Sequence, residues 1–161
     1  MAISIAVETP LQDDVRELVR QLNDYLNPLS PREFQFQMTV EQMSGSDTTL
    51  FVARDEGGRA VGMGALKVHT PELGEVKRMY TLPEVRGQRV GSALLSRITE
   101  LAQNRRIPML MLETGEAPGF EGAYRLYERA GFTKRGAFLD YPDSGWSRFY
   151  EKRLPVEEPV G

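Results

Sequence analysis

The spacing of hydrophobic and polar residues predicts that strands alternate with helices along the chain. Apolar and polar residues alternate over 3–7, which predicts a first strand, and apolar residues recur at helical spacing over 10–26. Thr9 is expected to cap this helix, with Pro10 in its first turn and Gln12 completing a capping box. The chain is therefore expected to open with a strand followed by an amphipathic helix.

The middle of the chain predicts an antiparallel sheet. A short helix capped at Thr39 comes first, and the strands that follow are predicted at 49–56, 60–69 and 75–81. Gly57 and Gly58 favour a tight hairpin between the first two of these strands. Gly62 and Gly64 indicate a bulge or close packing inside the second one.

The second half of the chain adds helices and more strands. Apolar residues predict a helix from Val90 to about Asn104, and a strand that is apolar on both faces is predicted at 109–113. A short helix should close at Gly131. Two last strands, 132–138 and 147–154, precede a tail at 155–161 that is expected to be flexible. These elements predict one mixed α/β domain over 1–154.

Composition excludes several kinds of chemistry. The 161 residues include no cysteine and one histidine, His69, so the sequence cannot supply disulfides or a cysteine nucleophile, and it argues against a histidine metal cluster. The net charge is −3 and no long basic run occurs, which argues against nucleic acid as a partner. No apolar run approaches the ~20 residues of a membrane span, and the N-terminus does not resemble a signal peptide. We therefore expect a cytoplasmic location.

The segment 74–95, GEVKRMYTLPEVRGQRVGSALL, carries the most specific signal in the sequence. It predicts a strand, a proline-containing turn, a basic loop with a glycine, and the start of a helix. Unpaired N–H groups and the helix dipole favour phosphate at such a position, and Arg86 and Arg89 add positive charge. The GK[ST] and G-x-G-x-x-G signatures of nucleotide loops are absent. A different phosphate-bearing cofactor is therefore predicted.

Three parts of the sequence resemble one family. The loop RGQRVGSALL resembles the pyrophosphate loop of the GCN5-related N-acetyltransferases, the GNAT superfamily, whose pattern is Gln/Arg-x-x-Gly-x-Gly/Ala. EVKRMYTLPE resembles the family's fourth strand, and AYRLYERAGF resembles its A-x-x-L-Y-E-x-x-G-F segment. The likeness is best over 60–135 and is closest to a bacterial subgroup with EVKRMY and LETG motifs.

The resemblance implies a fold and a reaction. The fold is a mixed, mostly antiparallel central sheet with helices on both faces, and strands 4 and 5 splay apart to form a cofactor slot. Acetyl-CoA is the implied co-substrate, and the acceptor is the primary amine of a small molecule that attacks the thioester directly. A peptide or protein acetyltransferase and a non-catalytic acyl-CoA-binding module are the alternatives. Homodimers are common in the family, and the sequence does not decide this point.

The resemblance also implies cofactor contacts. A backbone N–H of Met79 or Tyr80 should polarise the thioester carbonyl. Phe120 stands where many members have an asparagine that bonds the pantetheine arm, so this contact is expected to be lost or moved. The backbones of Met79, Tyr80 and Thr81 should meet the acetyl and pantetheine groups, and the pyrophosphate should be wrapped by Arg86, Gly87, Gln88, Arg89, Val90, Gly91 and Ser92.

Three residues are candidates for the chemistry. Tyr127 stands where many members have the tyrosine that protonates the departing thiolate. Glu75 aligns with a general base of the family, and Glu113 on the neighbouring strand is the competing base. The competing interpretations make Tyr127 a packing residue and Glu75 a solvated carboxylate. For Glu113 they give two other roles, accepting hydrogen bonds from a loop or positioning Arg78.

The acceptor side is the least determined part of the sequence. The loop after the first helix contains Phe34 and Phe36, and Tyr25 lies just before it. These aromatics either fill one end of the core or wall a substrate pocket. A pocket closed by them would favour small metabolites, whereas an open acidic groove would favour peptides.

Overall fold

The computed structural model describes residues 2–155, whose helices and strands give a mixed α/β fold. Of the predicted tail at 155–161, all but the first residue lie outside the described residues. Among the described residues, no helix is both long enough and apolar enough to cross a membrane. In chain order the elements are β1 (Ser4–Val7), α1 (Asp13–Leu26), α2 (Val40–Met43), β2 (Thr48–Arg54), β3 (Ala60–Thr70), β4 (Leu73–Thr81), α3 (Val90–Asn104), β5 (Met109–Gly115), α4 (Glu121–Arg129), β6 (Thr133–Arg135) and β7 (Ser147–Arg153).

The strands form one sheet in the order β1-β2-β3-β4-β5-β7-β6. All neighbouring strands are antiparallel except β4 and β5, which are parallel. These two strands pair at three positions, where 73–75 face 109–111. Beyond this short ladder β4 continues to Thr81 and β5 continues to Gly115. The two strands no longer pair with each other there, so a slot opens between them. The predicted sheet with splayed fourth and fifth strands is confirmed.

Helices cover both faces of the sheet. On one face, a Cβ atom added to Gly62 of β3 would lie 3.1 Å from Leu94 of α3. Met63 follows Gly62, so its side chain and that of its pairing partner Tyr80 point to the opposite face. There the hydroxyl of Tyr80 donates to Gln21 of α1 at 3.3 Å. The buried apolar residues of the two helices are Val15, Leu18, Val19 and Leu22 in α1 and Val90, Leu94, Leu95, Ile98 and Ala102 in α3.

A bulge interrupts β4 beside the slot. Met63 pairs with Tyr80, whereas Ala65 pairs with Lys77, so β4 carries one more residue than β3 at this point. Arg78 in the bulge has a left-handed backbone conformation, with φ of 56°. The extra residue lies in β4 and not in β3, the strand for which Gly62 and Gly64 predicted a bulge or close packing; both glycines are closely packed there.

Gly64 is needed opposite this bulge. A Cβ atom on residue 64 would overlap the sulfur of Met79 and would lie 3.1 Å from the side chain of Ile98 in α3. We expect Gly64→Ala to lower the free energy of unfolding by about 1–3 kcal/mol because the added methyl overpacks this contact. Thermal denaturation measures the change. Gly136→Ala is the matched control, since no atom lies within 4 Å of its Cβ position, and equal melting temperatures for the two variants would contradict the prediction.

The predicted start of the first helix is wrong. α1 begins at Asp13 instead of residue 10, and Thr9 does not cap it. The Thr9 hydroxyl accepts from the N–H of Leu11 at 3.1 Å, and the side chain of Gln12 donates to the Thr9 carbonyl at 2.8 Å. These bonds form a turn before the helix, so the groups of the predicted capping box are used locally.

The predicted strand 132–138 is also too long. Only Thr133–Arg135 form β6, which pairs with β7 at three positions on the sheet edge. Phe138 instead turns into the core, where its ring contacts the rings of Phe149 at 5.7 Å and Tyr141 at 5.1 Å. Burial of this aromatic side chain therefore outweighs continued edge pairing. The predicted cap at Thr39 is confirmed, because Thr39 and Gln42 form a capping box.

Candidate active site

The basic loop lies at the mouth of the slot. A turn of 3-10 helix at Pro83–Val85 follows β4, and the chain then reverses through two left-handed residues, Gly87 with φ of 86° and Arg89 with φ of 63°. A Cβ atom added to Gly91 would lie 3.4 Å from Leu126 of α4 and 4.0 Å from Thr81. The N-terminus of α3 is therefore held between the end of β4 and α4.

The loop leaves a subset of its N–H groups unpaired. Two backbone N–H groups of the loop are paired: that of Arg86 donates to the carbonyl of Pro83 at 3.3 Å, and that of Gln88 donates to the carbonyl of Val85 at 3.2 Å. The first-turn N–H groups of α3, at Val90, Gly91 and Ser92, have no acceptor within the helix. An anion at this site would meet the helix N-terminus and the exposed side chain of Arg89.

The side chain of Arg86 points back towards β4. Its guanidinium lies 5.8 Å from the ring centres of both Tyr25 and Tyr80, and it donates to the carbonyl of Thr81 at 3.3 Å. Tyr25, which was one of the predicted pocket aromatics, is 42% exposed and donates to the carbonyl of Gly119 at 2.5 Å. Arg86 therefore closes over the end of β4, close to where the slot begins.

The strand predicted to meet the acetyl group forms one wall of the slot. Met79, Tyr80 and Thr81 are the last residues of β4, and no strand pairs with this part of β4 on the side that faces β5. The ring of Tyr80 is buried, and this burial raises the pKa of its hydroxyl. Backbone groups of the wall are thus available to an extended ligand lying in the slot.

Tyr127 lies beside the opposite wall, on α4. It is 7% exposed, and its ring contacts those of Phe132 at 5.9 Å and Tyr150 at 6.1 Å. Burial raises the pKa of its hydroxyl well above the ordinary value of about 10, and the negative charge of Glu113 adds to the shift. Within residues 2–155 no hydrogen bond contributes to this shift. Tyr127 therefore carries a proton at neutral pH and has not committed it to another protein group.

Phe120 precedes α4 and covers the end of β5. Its ring lies directly against Gly115, where a Cβ atom would overlap it, and the residue is 7% exposed. Its carbonyl accepts from the N–H of Tyr124 at 3.1 Å. The position is consequently an apolar cover without a polar side-chain group.

Glu75 lies in a buried polar network. Its side chain is 3% exposed, and its two oxygens contact Nε2 of His69 at 2.8 Å and the hydroxyl of Tyr141 at 2.5 Å. Lys77 donates to the same hydroxyl at 2.8 Å and lies 3.6 Å from the carboxylate. The interpretation of Glu75 as a solvated carboxylate is therefore wrong, and each of its oxygens already has a partner.

Glu113 shares this face of the sheet with Glu75. Met111 pairs with Glu75, and Glu113 follows two residues later, so its side chain points the same way. One of its oxygens accepts from Ser147 Oγ at 2.7 Å. Burial raises the pKa of Glu113, the charge of Glu75 adds to this shift, and Ser147 and Lys77 oppose it. Glu113 does not position Arg78, whose hydrogen bond within the described residues goes to Asn23.

The sequence did not single out Lys77 or Tyr141. Lys77 follows Glu75 by two residues on one strand, and this spacing alone could have placed both on the same face. Tyr141 lies 66 residues from Glu75 in the β6–β7 connection, and no local pattern indicates their contact. Phe36 packs edge-on against Tyr141 with ring centres 5.0 Å apart. Of the predicted pocket aromatics, Phe36 is thus the one that covers the polar network.

Two polar cavities lie on this side of the sheet and share Gln37. The smaller, of about 440 Å³, is lined by two lysines, Lys67 and Lys77, and by two acids, Glu41 and Asp47, beside Phe36. The larger, of about 570 Å³, is lined by Asn23, Asn27, Arg32, Gln35 and Gln37. An acceptor would therefore approach the slot past amides and side chains of both charges.

Comparison with known proteins identifies the class. Residues 46–134, more than half of the chain, match the family model of the acetyltransferase (GNAT) domain. The chain is 39% identical to the IAA acetyltransferase of Azospirillum brasilense over 153 residues, which is 94% of this chain and 98% of that protein. It is 34% identical to the uncharacterized N-acetyltransferase YsnE of Bacillus subtilis, over 86% of this chain and 93% of that one. The chain belongs to the GNAT family of N-acetyltransferases.

Solved structures agree with this assignment. A Klebsiella pneumoniae protein described as an acyl-CoA N-acyltransferase superposes with a TM-score of 0.79 at 30% identity, covering 94% of this chain and 97% of that one. The PaiA N-acetyltransferase of Thermoplasma acidophilum, solved in complex with coenzyme A, has a TM-score of 0.75 at 18% identity over 96% of this chain and 100% of that one. The second likeness supports the fold alone.

Proposed function

We propose that the protein transfers the acetyl group of acetyl-CoA to the primary amine of a small molecule. The observation that carries the proposal is the slot between β4 and β5, with a helix N-terminus at its mouth and Glu75, Glu113 and Tyr127 around it. Membership of the GNAT family supports the choice of cofactor, and PaiA, a protein of the same fold, was solved in complex with coenzyme A. Membership of the bacterial subgroup with EVKRMY and LETG motifs is part of the proposal, and the cytoplasmic location stays a prediction.

The cofactor would lie along the slot. The pyrophosphate would be held by Gly87, Arg89 and the first turn of α3, and the pantetheine arm would follow the free edge of 79–81. Phe120 offers the arm an apolar contact in place of an asparagine. Bonds between the backbone and the ligand in this arrangement replace the missing strand pairing between β4 and β5.

The reaction replaces the C–S bond of the thioester with the C–N bond of an amide, and proton transfers accompany this exchange. The acceptor amine, which is mostly ammonium at neutral pH, gives a proton to a carboxylate, directly or through a water molecule. The nitrogen then attacks the thioester carbonyl, the C–N bond forms and the C–S bond breaks. The hydroxyl of Tyr127 donates a proton to the departing thiolate, and the second proton that the nitrogen loses on becoming an amide returns to Tyr127, directly or through a water molecule.

We assign the base to Glu113 and a positioning role to Glu75. Glu113 has one oxygen without a partner among the described residues, and its raised pKa makes it a stronger base than an ordinary carboxylate. Both oxygens of Glu75 have donors, and Glu75 fixes Tyr141 and Lys77 at the acceptor side. This assignment reverses the order of preference that the family resemblance gives.

A small acceptor is favoured over a peptide. Phe36 and Tyr141 cover the network around Glu75. The smaller cavity beside them has two lysines and two acids, and the larger has one arginine among amides, so neither lining has the net negative charge that would suit a basic peptide. The name of the Azospirillum brasilense relative, IAA acetyltransferase, also supports a small molecule.

The test combines two measurements on the purified protein. Isothermal titration should show acetyl-CoA binding, and release of the CoA thiol should be followed with a panel of small amines and of peptides. Absence of acetyl-CoA binding would refute the proposal. Binding without thiol release from any acceptor would favour the non-catalytic module, and release with peptides alone would favour a peptide acetyltransferase.

Arg89→Gly separates backbone strain from phosphate contact. The left-handed conformation of Arg89 costs on the order of 1 kcal/mol, and glycine removes this cost. We therefore expect the variant to unfold at a slightly higher temperature and to bind acetyl-CoA several-fold more weakly, because one positive charge is lost. Dephospho-CoA and CoA should be affected alike if the charge acts on the pyrophosphate. Unchanged affinity would show that Arg89 makes no phosphate contact.

A further inference from the structure

Arg78 is a buried cation without a counter-ion. The residue is 8% exposed, and within residues 2–155 no carboxylate lies within ion-pair distance of its guanidinium. Its Nη2 donates to the neutral amide oxygen of Asn23 on α1, and its Nε is a buried donor with no partner among the described residues. Burying an unpaired donor and an uncompensated charge costs free energy, so the protein without a ligand is destabilised at Arg78.

Burial alone accounts for the electrostatics of this side chain. The pKa of Arg78 is lowered to about 10 by desolvation, and no neighbouring charge opposes the shift. Glu75 and Glu113, the carboxylates of the same face, are engaged with other partners and do not compensate it. An arginine at this pKa is still positive at neutral pH, so an anion brought to it would be strongly favoured.

The two donors of interest form one edge of the guanidinium. The hydrogens on Nε and Nη2 of an arginine point the same way, and their spacing matches the two oxygens of a carboxylate. In Arg78 one of these donors is unpartnered and the other meets only the amide of Asn23. A carboxylate that displaces this amide would satisfy both donors at once and would neutralise the charge.

Asn23 connects Arg78 to the larger cavity. Its side chain is the partner of Arg78 and also lines the cavity of about 570 Å³. Arg32 and the side-chain amides of Gln35 and Gln37 line the same cavity, and among the described residues no carboxylate does. The cavity is therefore suited to a negatively charged group, with Arg78 immediately behind its wall.

We propose that Arg78 binds a carboxylate of the acceptor, so that the substrates of this enzyme are small amines that also carry a carboxylate. This inference rests on the proposed function. Arg78 belongs to the bulge of β4 next to Met79, where the acetyl group is expected, and it lies three residues from Glu75 on the same strand. A carboxylate held by Arg78 would fix one end of a small acceptor and direct its amine into the slot.

The test compares molecules that differ only in this charge. Free amino acids, β-alanine and 4-aminobutyrate are each compared with their carboxamides as acceptors, with acetyl-CoA and thiol release as the measurement. At least one acid should show a kcat/KM at least tenfold above that of its amide. Rates for amides that equal or exceed those for the acids throughout the panel would overturn the inference.

Variants assign the discrimination to one arginine. Arg78→Met should bring the ratio of acid to amide close to one while acetyl-CoA affinity stays within twofold, and Arg78→Lys should restore part of the ratio. Arg32→Gln tests the exposed cation of the same cavity and should leave most of the ratio intact. Loss of the ratio in Arg32→Gln, with retention in Arg78→Met, would overturn the assignment to Arg78.

Two further measurements keep the inference testable if a variant or the reaction fails. If Arg78→Met does not fold, propionate and butyrate should inhibit the wild-type protein competitively against the acceptor, and propionamide and butyramide should not. If no acceptor releases thiol, which contradicts the proposed function, the CoA complex should still be stabilised against heat by the acids and not by the amides. Equal behaviour of acids and amides in either measurement would overturn the inference.

Discussion

Glu113→Gln should lower kcat/KM by about 10²-fold or more, with acetyl-CoA affinity nearly unchanged. The amide cannot accept the proton of the ammonium, and general-base catalysis contributes about 10²–10⁴-fold in enzymes. Glutamine preserves the shape of the side chain and its hydrogen bond with Ser147, so the fold should be retained. Initial rates at saturating acetyl-CoA measure the effect.

The pH dependence distinguishes Glu113 from Glu75. A base works when deprotonated, and since burial raises the pKa of Glu113, the acid limb of kcat/KM should lie above the ordinary glutamate value of about 4.3. Ser147→Ala removes a bond that stabilises the carboxylate, so it should move this limb to still higher pH. If Glu75→Gln abolishes the limb and Glu113→Gln leaves it in place, Glu75 is the base.

Tyr127→Phe should lower kcat by about 10²-fold and leave acetyl-CoA affinity within about twofold. The departing thiolate would lose its proton donor, whereas the buried ring would keep its contacts with Phe132 and Tyr150. Because no hydrogen bond of the hydroxyl is found within residues 2–155, its removal should cost little folding stability. Single-turnover rates separate the chemical step from product release.

Tyr124→Phe is the matched control for this variant. Tyr124 is on the same helix, and its hydroxyl donates to the carbonyl of Gly115 at 2.5 Å and to Glu116 at 3.1 Å. Its loss should lower stability by about 1 kcal/mol and change kcat little. Equal kcat for Tyr127→Phe and the wild-type protein over the whole pH range would refute a proton-donor role for Tyr127.

Local signals in the sequence predicted most of the elements. The cap at Thr39, the turn at Pro83 and the glycine at 131 act over a few residues, and each one lies at a boundary of an element in the structure. The start of α1 was missed because it depends on distant residues. Arg54, 46 residues from Glu8, holds that carboxylate at 2.7 Å and also bonds Gln12, which draws the predicted first turn into a loop.

The candidate site was predictable only in part. Glu75, Glu113 and Tyr127 were found through the family resemblance, which supplies positions and not surroundings. The burial of Glu75 and its bond with Tyr141 depend on a connection 66 residues away, whose path no pattern specifies. The isolation of Arg78 likewise follows from the packing of α1 against a bulge, which brings Asn23 and no acid to its guanidinium.

The short parallel ladder between β4 and β5 has a consequence for local unfolding. In the described residues, the three pairs at 73–75 and 109–111 are the backbone link between a four-strand part of the sheet and a three-strand part. Two parts joined so narrowly can open separately, so the amide protons of β5 and β7 should exchange with solvent through events that leave β2 and β3 intact. A ligand that bonded both walls of the slot would make the two parts open as one unit. Slower hydrogen exchange on both sides of the slot is thus the dynamic signature of cofactor binding.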